Sequence, residues 1–177
     1  MSTKKLMCVL FGVLVISSWV LGSTIQAGAE TMKCKNFATA TKDERIPVGD
    51  QEGNMKGYMI GLQIMEGLAF CENGEVPKVR HHAVWDLEPG KGTQAMGYTI
   101  YTFEDGSTVV IKFQRSVGLG ESGIRSATST SELIKGTGRF EGIKGTSSGP
   151  GKNFMPSKGE AARAFNDTTW TYTLPTK

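Results

Sequence analysis

Apolar and polar residues alternate with a period of two along much of this chain, most sharply between Met96 and Arg115. Tyr101 and Phe103 share one parity on the first arm of that stretch, and Val109, Ile111 and Phe113 share one on the second. Between the arms lies Glu104-Asp105-Gly106-Ser107, and Asp-Gly favours a hairpin because it accepts positive φ. Each arm is therefore predicted to be a strand with one face in a core. From Met55 to Cys71 the residues Tyr58, Ile60, Leu62 and Ile64 fall on one face, and Met59, Gly61, Gln63 and Met65 on the other. A helix is the rival there, but Gly57, Gly61 and Gly67 would each cost a helix about 1 kcal/mol. Strands of a curved sheet use such glycines for bends and bulges. In the next run Val79, His81, Ala83 and Trp85 are predicted to face the core, and Arg80, His82, Val84 and Asp86 the solvent.

Further along, the pattern weakens. Residues 124–134 are rich in Ser and Thr and predict a strand with Ser126, Thr128 and Thr130 on one face and Ser129 and Ser131 on the other. Residues 139–146 are expected to pair with it through a tight connection at Lys135–Gly138. Residues 147–159 carry two prolines and several glycines and predict a long loop, followed by a helical turn or two over 160–165. Thr168–Leu174 predicts a closing strand with Trp170, Tyr172 and Leu174 on one face. The polar stretch 30–54 predicts an irregular arm with a short edge strand around 42–48. The fold class is all-β: an antiparallel, eight-stranded closed barrel, of which seven strands are clearly marked. A sandwich fits the same alternation, but closure hides both sheet edges from unwanted pairing.

The N-terminus changes how composition is to be counted. Lys4 and Lys5, an apolar run from Leu6 to Leu21, and Ala27-Gly28-Ala29 follow the order of a secretory signal peptide. A membrane anchor is the alternative for a run of this length. The expected organisation is residues 1–29 as leader, 30–52 as the arm tied to the barrel, and 53–177 as the barrel, with the product secreted or periplasmic. Once the leader is removed no stable membrane insertion is expected. The whole chain has 20 basic against 17 acidic residues, and two of the lysines leave with the leader. No basic block or aromatic-interleaved basic stripe remains, which argues against nucleic acid. Cys34 and Cys71 stay, and in an oxidising compartment a disulfide is the simplest reading; free thiols or an intermolecular bond are the alternatives.

Tyr101-Thr102-Phe103-Glu104-Asp105-Gly106-Ser107-Thr108, followed by the run from Gly136 to Thr146, resembles the allene oxide cyclase-like and dirigent-like barrels. Gly136, Thr137, Gly138, Phe140 and Gly145 match that group's Gly-(Thr/Ser)-Gly-x-Phe-x-x-x-x-Gly hairpin, and Thr171-Tyr172 resembles its closing strand. The likeness spans roughly residues 53–174. It implies an eight-stranded antiparallel barrel, often dimeric or trimeric, so a homo-oligomer is an expectation. It also implies cyclisation of an unsaturated fatty-acid epoxide, or stereochemical guidance of phenoxy-radical coupling, inside a mainly apolar cavity. The resemblance assigns no catalytic acid.

Candidate chemistry is sparse. His81 and His82 are neighbours on a strand and point to opposite faces, so they do not share a metal; no metal site and no cofactor are expected. His81 inside a barrel is a candidate general base or simply hydrogen-bonded packing. Arg115 continues the parity of Ile111 and Phe113, and its planar fork suits a ligand carboxylate; a salt bridge to Glu132 or Glu66 is the alternative. Trp85, Tyr101, Ile111, Phe113 and Arg115 are thus the candidate ligand-binding set, with Cys34 and Cys71 as a staple. There is no nucleophile elbow and no phosphate loop. Three readings remain: a barrel binding a small apolar or amphipathic ligand, a cyclase-like or stereochemistry-guiding catalyst, and a filled barrel serving in assembly. Whether the chain is an enzyme is left open by the sequence.

Overall fold

The computed structural model describes residues 28–49, 57–119, 123–155 and 160–176. All but the last two residues of the expected leader, and the connections at 50–56, 120–122 and 156–159, lie outside the described residues. Eight strands follow one another: β1 (Glu30–Pro47), β2 (Met59–Cys71), β3 (Lys78–Glu88), β4 (Gly92–Thr102), β5 (Thr108–Val117), β6 (Ile124–Gly136), β7 (Lys144–Phe154) and β8 (Arg163–Thr173). Each pairs antiparallel with its sequence neighbours, and β1 pairs with β8, closing the barrel. The expected hairpin is β4–β5, turning at Asp105-Gly106, where Ser107 N–H and Oγ–H both donate to the Asp105 carboxylate.

Residues 139–146, expected as a strand joined to β6 by a tight connection at Lys135–Gly138, instead carry a 3-10 turn at Gly138–Phe140, and β7 starts only at Lys144. Three further segments differ from expectation. The stretch expected as an arm forms β1, whose strand begins at Glu30 rather than at an edge around 42–48. Its buried inward residues, Met32, Cys34, Asn36 and Ala38, are small, sulfur-bearing or polar, so no bulky apolar alternation announces them. A bulge between Ala40 and Lys42 then shifts the parity, turning Asp43 and Arg45 towards the barrel interior. The second difference is the expected loop 147–159, which continues β7 to Phe154. Its glycines mark close packing rather than turns: a Cβ on Gly149 would stand 1.7 Å from the Asp167 carbonyl oxygen of β8. Pro150 lacks a donor, and the β7–β8 ladder is interrupted between Ser148↔Thr169 and Gly151↔Asn166. Finally, the helical turn expected at 160–165 is absent; Arg163 already begins β8.

One end of the barrel is filled. Val79, Tyr101, Phe103, Val109, Leu133, Ile143, Trp170 and Tyr172 are buried there. Phe140, on a 3-10 turn at Gly138–Phe140, closes that end with its ring 4.8 Å from Phe103 and 6.5 Å from Tyr172. Gly138 enters the turn at φ +61° and lies against Ser107, so both conformation and space require glycine. The Arg139 guanidinium covers the rings of Phe103 and Phe140 from outside, 4.8 and 4.7 Å from their centroids. Cys34 and Cys71 are direct partners across β1 and β2 and form a disulfide with an S–S distance of 2.05 Å.

Candidate functional site

Above the filled end the barrel interior opens into a cavity of about 340 Å³, within the range of small-molecule sites. Strand parity builds it. Trp85 on β3, Ala95 on β4 and Arg115 on β5 are successive ladder partners, so their side chains share one level of the wall. His81, Thr99 and Ile111 form the corresponding level nearer the filled end. All five residues of the candidate ligand-binding set, and His81, line this one cavity. His82 lies on the outer face beside Val84 and Tyr98.

The floor is polar. Asn36 Nδ2 donates to the Tyr101 hydroxyl at 3.1 Å and to Thr168 Oγ1 at 3.2 Å, and the Thr168 hydroxyl donates to the Cys34 carbonyl oxygen. Burial pushes the Tyr101 phenol up to about 12, so it stays protonated at neutral pH. The Tyr101 ring also stands edge-on to Trp170, 4.7 Å between centroids.

One level up, His81 Nδ1 and Thr99 Oγ1 share a hydrogen bond of 2.7 Å, and the imidazole meets the Phe113 ring edge-on. The imidazole titrates at about 4: burial lowers it most, then the Arg115 charge, then His82. It is therefore neutral at pH 7. Its Nε2 is buried without a hydrogen-bond partner among the described residues.

Arg115 makes three hydrogen bonds, to Ser129 Oγ at 3.2 Å, to Asn153 Oδ1 at 2.5 Å and to Asn166 Oδ1. None of these acceptors is charged. The alternative of a salt bridge to Glu132 or Glu66 is not what forms; Glu66 pairs instead with Arg80 on the outer face, at 3.2 Å. Burial lowers the Arg115 guanidinium to about 10, which leaves it charged at neutral pH. At the mouth, Arg45 and Asp43 form an ion pair of 2.6 Å, and the Arg45 guanidinium lies 6.0 Å above the Trp85 ring.

Several wall residues escaped the sequence reading. Asn36 and Asp43 belong to the unrecognised β1, and Asn153 to the unrecognised part of β7. Asn166 was within reach: it continues the parity of Trp170 and Tyr172 back along β8, and Thr168 lies between. The cavity is consequently more polar than the expected apolar interior with only His81 and Arg115 in it. Ser129 and Ser131 line it, whereas Ser126, Thr128 and Thr130 face outwards. Among the described residues, no group of three or more His, Cys, Asp or Glu side chains comes together to hold a metal. No helix among them is long and apolar enough to cross a membrane.

Fold and site together define a closed antiparallel β-barrel, plugged at one end and hollow at the other. Among solved structures the chain is similar to the pterocarpan synthase dirigent protein GePTS1, at a TM-score of 0.45 and 12% identity over 89% of this chain and 99% of that one. It is also similar to the pterocarpan synthase dirigent protein PsPTS1, at 0.42 and 12%, over 83% and 97%. No protein-family model and no curated protein matches the chain.

Proposed function

We propose that this is an exported barrel protein that holds one small, mainly apolar or amphipathic ligand inside its hollow end. The observation that carries this reading is the cavity itself, in which Met59, Trp85, Leu87 and Phe113 offer apolar wall beside a set of polar groups held by hydrogen bonds. Concave sites with that balance are where proteins commonly bind small molecules. Export rests on the charged, apolar and small-residue order of residues 1–29. The test is native mass spectrometry of protein purified from its own compartment. A retained mass that dissociates on unfolding, on a chain beginning at Glu30, is the expected result, and the same spectrum reads the oligomeric state. Empty protein that also fails to take up apolar probes would reject the ligand reading.

A second reading, a cyclase-like or stereochemistry-guiding catalyst, draws on one feature. His81 is held neutral beside Arg115 in an enclosed space, with one ring nitrogen unused. Such a group can take or give a proton once a substrate is positioned against it. Product stereochemistry distinguishes the readings: a catalyst biases the products of a candidate substrate and loses that bias in His81→Gln, and a carrier does neither.

A further inference from the structure

We propose that the ligand of this cavity carries a single carboxylate, seated on Arg115, with Arg125 as a second cation beside it. This rests on the reading of the cavity as a ligand site and names the chemistry of the ligand's head.

The argument begins with charge balance. Among the described residues lining the cavity, the cations are Arg45, Arg115 and Arg125, and the one carboxylate is Asp43. Asp43 is already bound to Arg45 at the mouth. Nearer the filled end, His81 and Tyr101 add no charge at neutral pH. Among the described residues, Arg115 and Arg125 therefore face the interior without an acid of their own. Burying an uncompensated guanidinium is costly, and neutral acceptors recover only part of the loss.

One residue links the two cations. Asn153, which accepts from Arg115, is the direct ladder partner of Arg125. Arg125 Nε is buried and has no hydrogen-bond partner among the described residues. A guanidinium has five N–H donors, and the three hydrogen bonds of Arg115 leave two for a planar acceptor. Ser129 and the two asparagines meanwhile hold the fork in one orientation. Gly151 keeps the space clear, since a Cβ there would stand 3.0 Å from the Arg115 guanidinium.

The apolar part of the ligand then has a direction. Ala95 is the ladder partner of both Trp85 and Arg115, and its small side chain leaves room at that level. A carboxylate on Arg115 places the attached chain against Trp85 and Phe113, with Met59 and Leu87 nearer the mouth. A Lys in place of Arg115 would give a point charge without the fork.

The experiment is titration calorimetry with 6-phenylhexanoate, its methyl ester and 6-phenylhexanol, on the wild type and on Arg115→Met and Arg125→Met. The acid should bind the wild type roughly 10- to 100-fold more tightly than the ester, the range expected of a charge-assisted hydrogen bond. Arg115→Met should remove most of that preference and change ester affinity less than about threefold. Ester and alcohol binding as tightly as the acid would overturn the carboxylate assignment and leave the ligand site standing. Binding of none of the three would overturn both. If Arg115→Met does not fold, the wild-type ratio and its fall in Arg125→Met decide the matter: an unchanged ratio in that variant overturns the role of Arg125.

Discussion

Phe140 and His81 are both enclosed by the barrel, and their substitutions should read out differently. The Phe140 ring is 5% exposed and meets Phe103 and Tyr172. Phe140→Ala should cost about 3–5 kcal/mol in a urea unfolding experiment. A loss below about 1 kcal/mol would mean that the plug contributes little. His81 acts through protons. Its folded value of about 4 lies below the ordinary 6.5, so between those values the unfolded chain binds a proton that the folded chain does not. Stability is intact above pH 6.5 and falls as pH drops towards 4, by at most about 3 kcal/mol from this group. Unfolding midpoints at pH 7 and pH 4.5 should show that loss in the wild type and less of it in His81→Leu. An identical acid slope in both proteins would contradict a neutral buried imidazole. The inward placement of His81 was legible in the sequence through strand parity. That of Asn153, which accepts from Arg115, was not, because it lies on a stretch of β7 whose glycines and Pro150 have the composition of a loop.

The strands divide by how they advertise themselves. β3 and β5 carry large apolar residues on their inner faces, Val79 and Trp85 on one and Val109, Ile111 and Phe113 on the other, and alternation finds them; β4, whose inner face is small apart from Tyr101, is found through its hairpin with β5. β1 hides because its inner face is Met32, Cys34, Asn36 and Ala38, while Phe37 points outwards to Phe70 and Phe165. β7 hides because its glycines and Pro150 have the composition of a loop, and their reason becomes visible only once β8 lies beside them. Gly149→Ala tests that account. With the Asp167 carbonyl oxygen 1.7 Å from the new Cβ, β7 and β8 must separate, and a destabilisation of about 2 kcal/mol or more is expected from overpacking and lost ladder bonds. A loss under about 0.5 kcal/mol would show a ladder loose enough to give way. The bond between Cys34 and Cys71 works at the same scale, holding β1 against β2 across a sequence separation of 37. Chain entropy puts its contribution at about 3–4 kcal/mol. Reduction and alkylation, followed by intact mass and thermal unfolding, should show two masked thiols and a substantially lower Tm. Free thiols before reduction would remove the staple.

For the molecule as a whole, the defining contrast is between a filled end and a hollow end, and alanines at the two ends test it. Ala69 is fully buried in the plugged core with Cys34, Cys71 and Val79. Ala95 lines the cavity between Trp85 and Arg115. Enlarging a side chain in a close-packed core forces neighbours off their rotamers, so Ala69→Leu should cost about 1–3 kcal/mol. The same change at Ala95 grows into empty space and gains dispersion contacts with Trp85, so Ala95→Leu should be neutral or stabilising, by up to about 1 kcal/mol. The same substitution should also weaken whatever apolar probe the wild type binds, because it occupies the level at which Trp85 and Arg115 face each other. Urea unfolding of both variants, with probe titration of Ala95→Leu, checks these outcomes together. Equal destabilisation by the two substitutions would mean that the barrel is packed from end to end. A barrel of that kind has no room for a ligand, and its function would have to be sought on the outer face, where Ile60, Leu62, Val84, Met96 and Tyr98 are exposed. A stable Ala95→Leu variant that has lost the probe would place the protein's function inside.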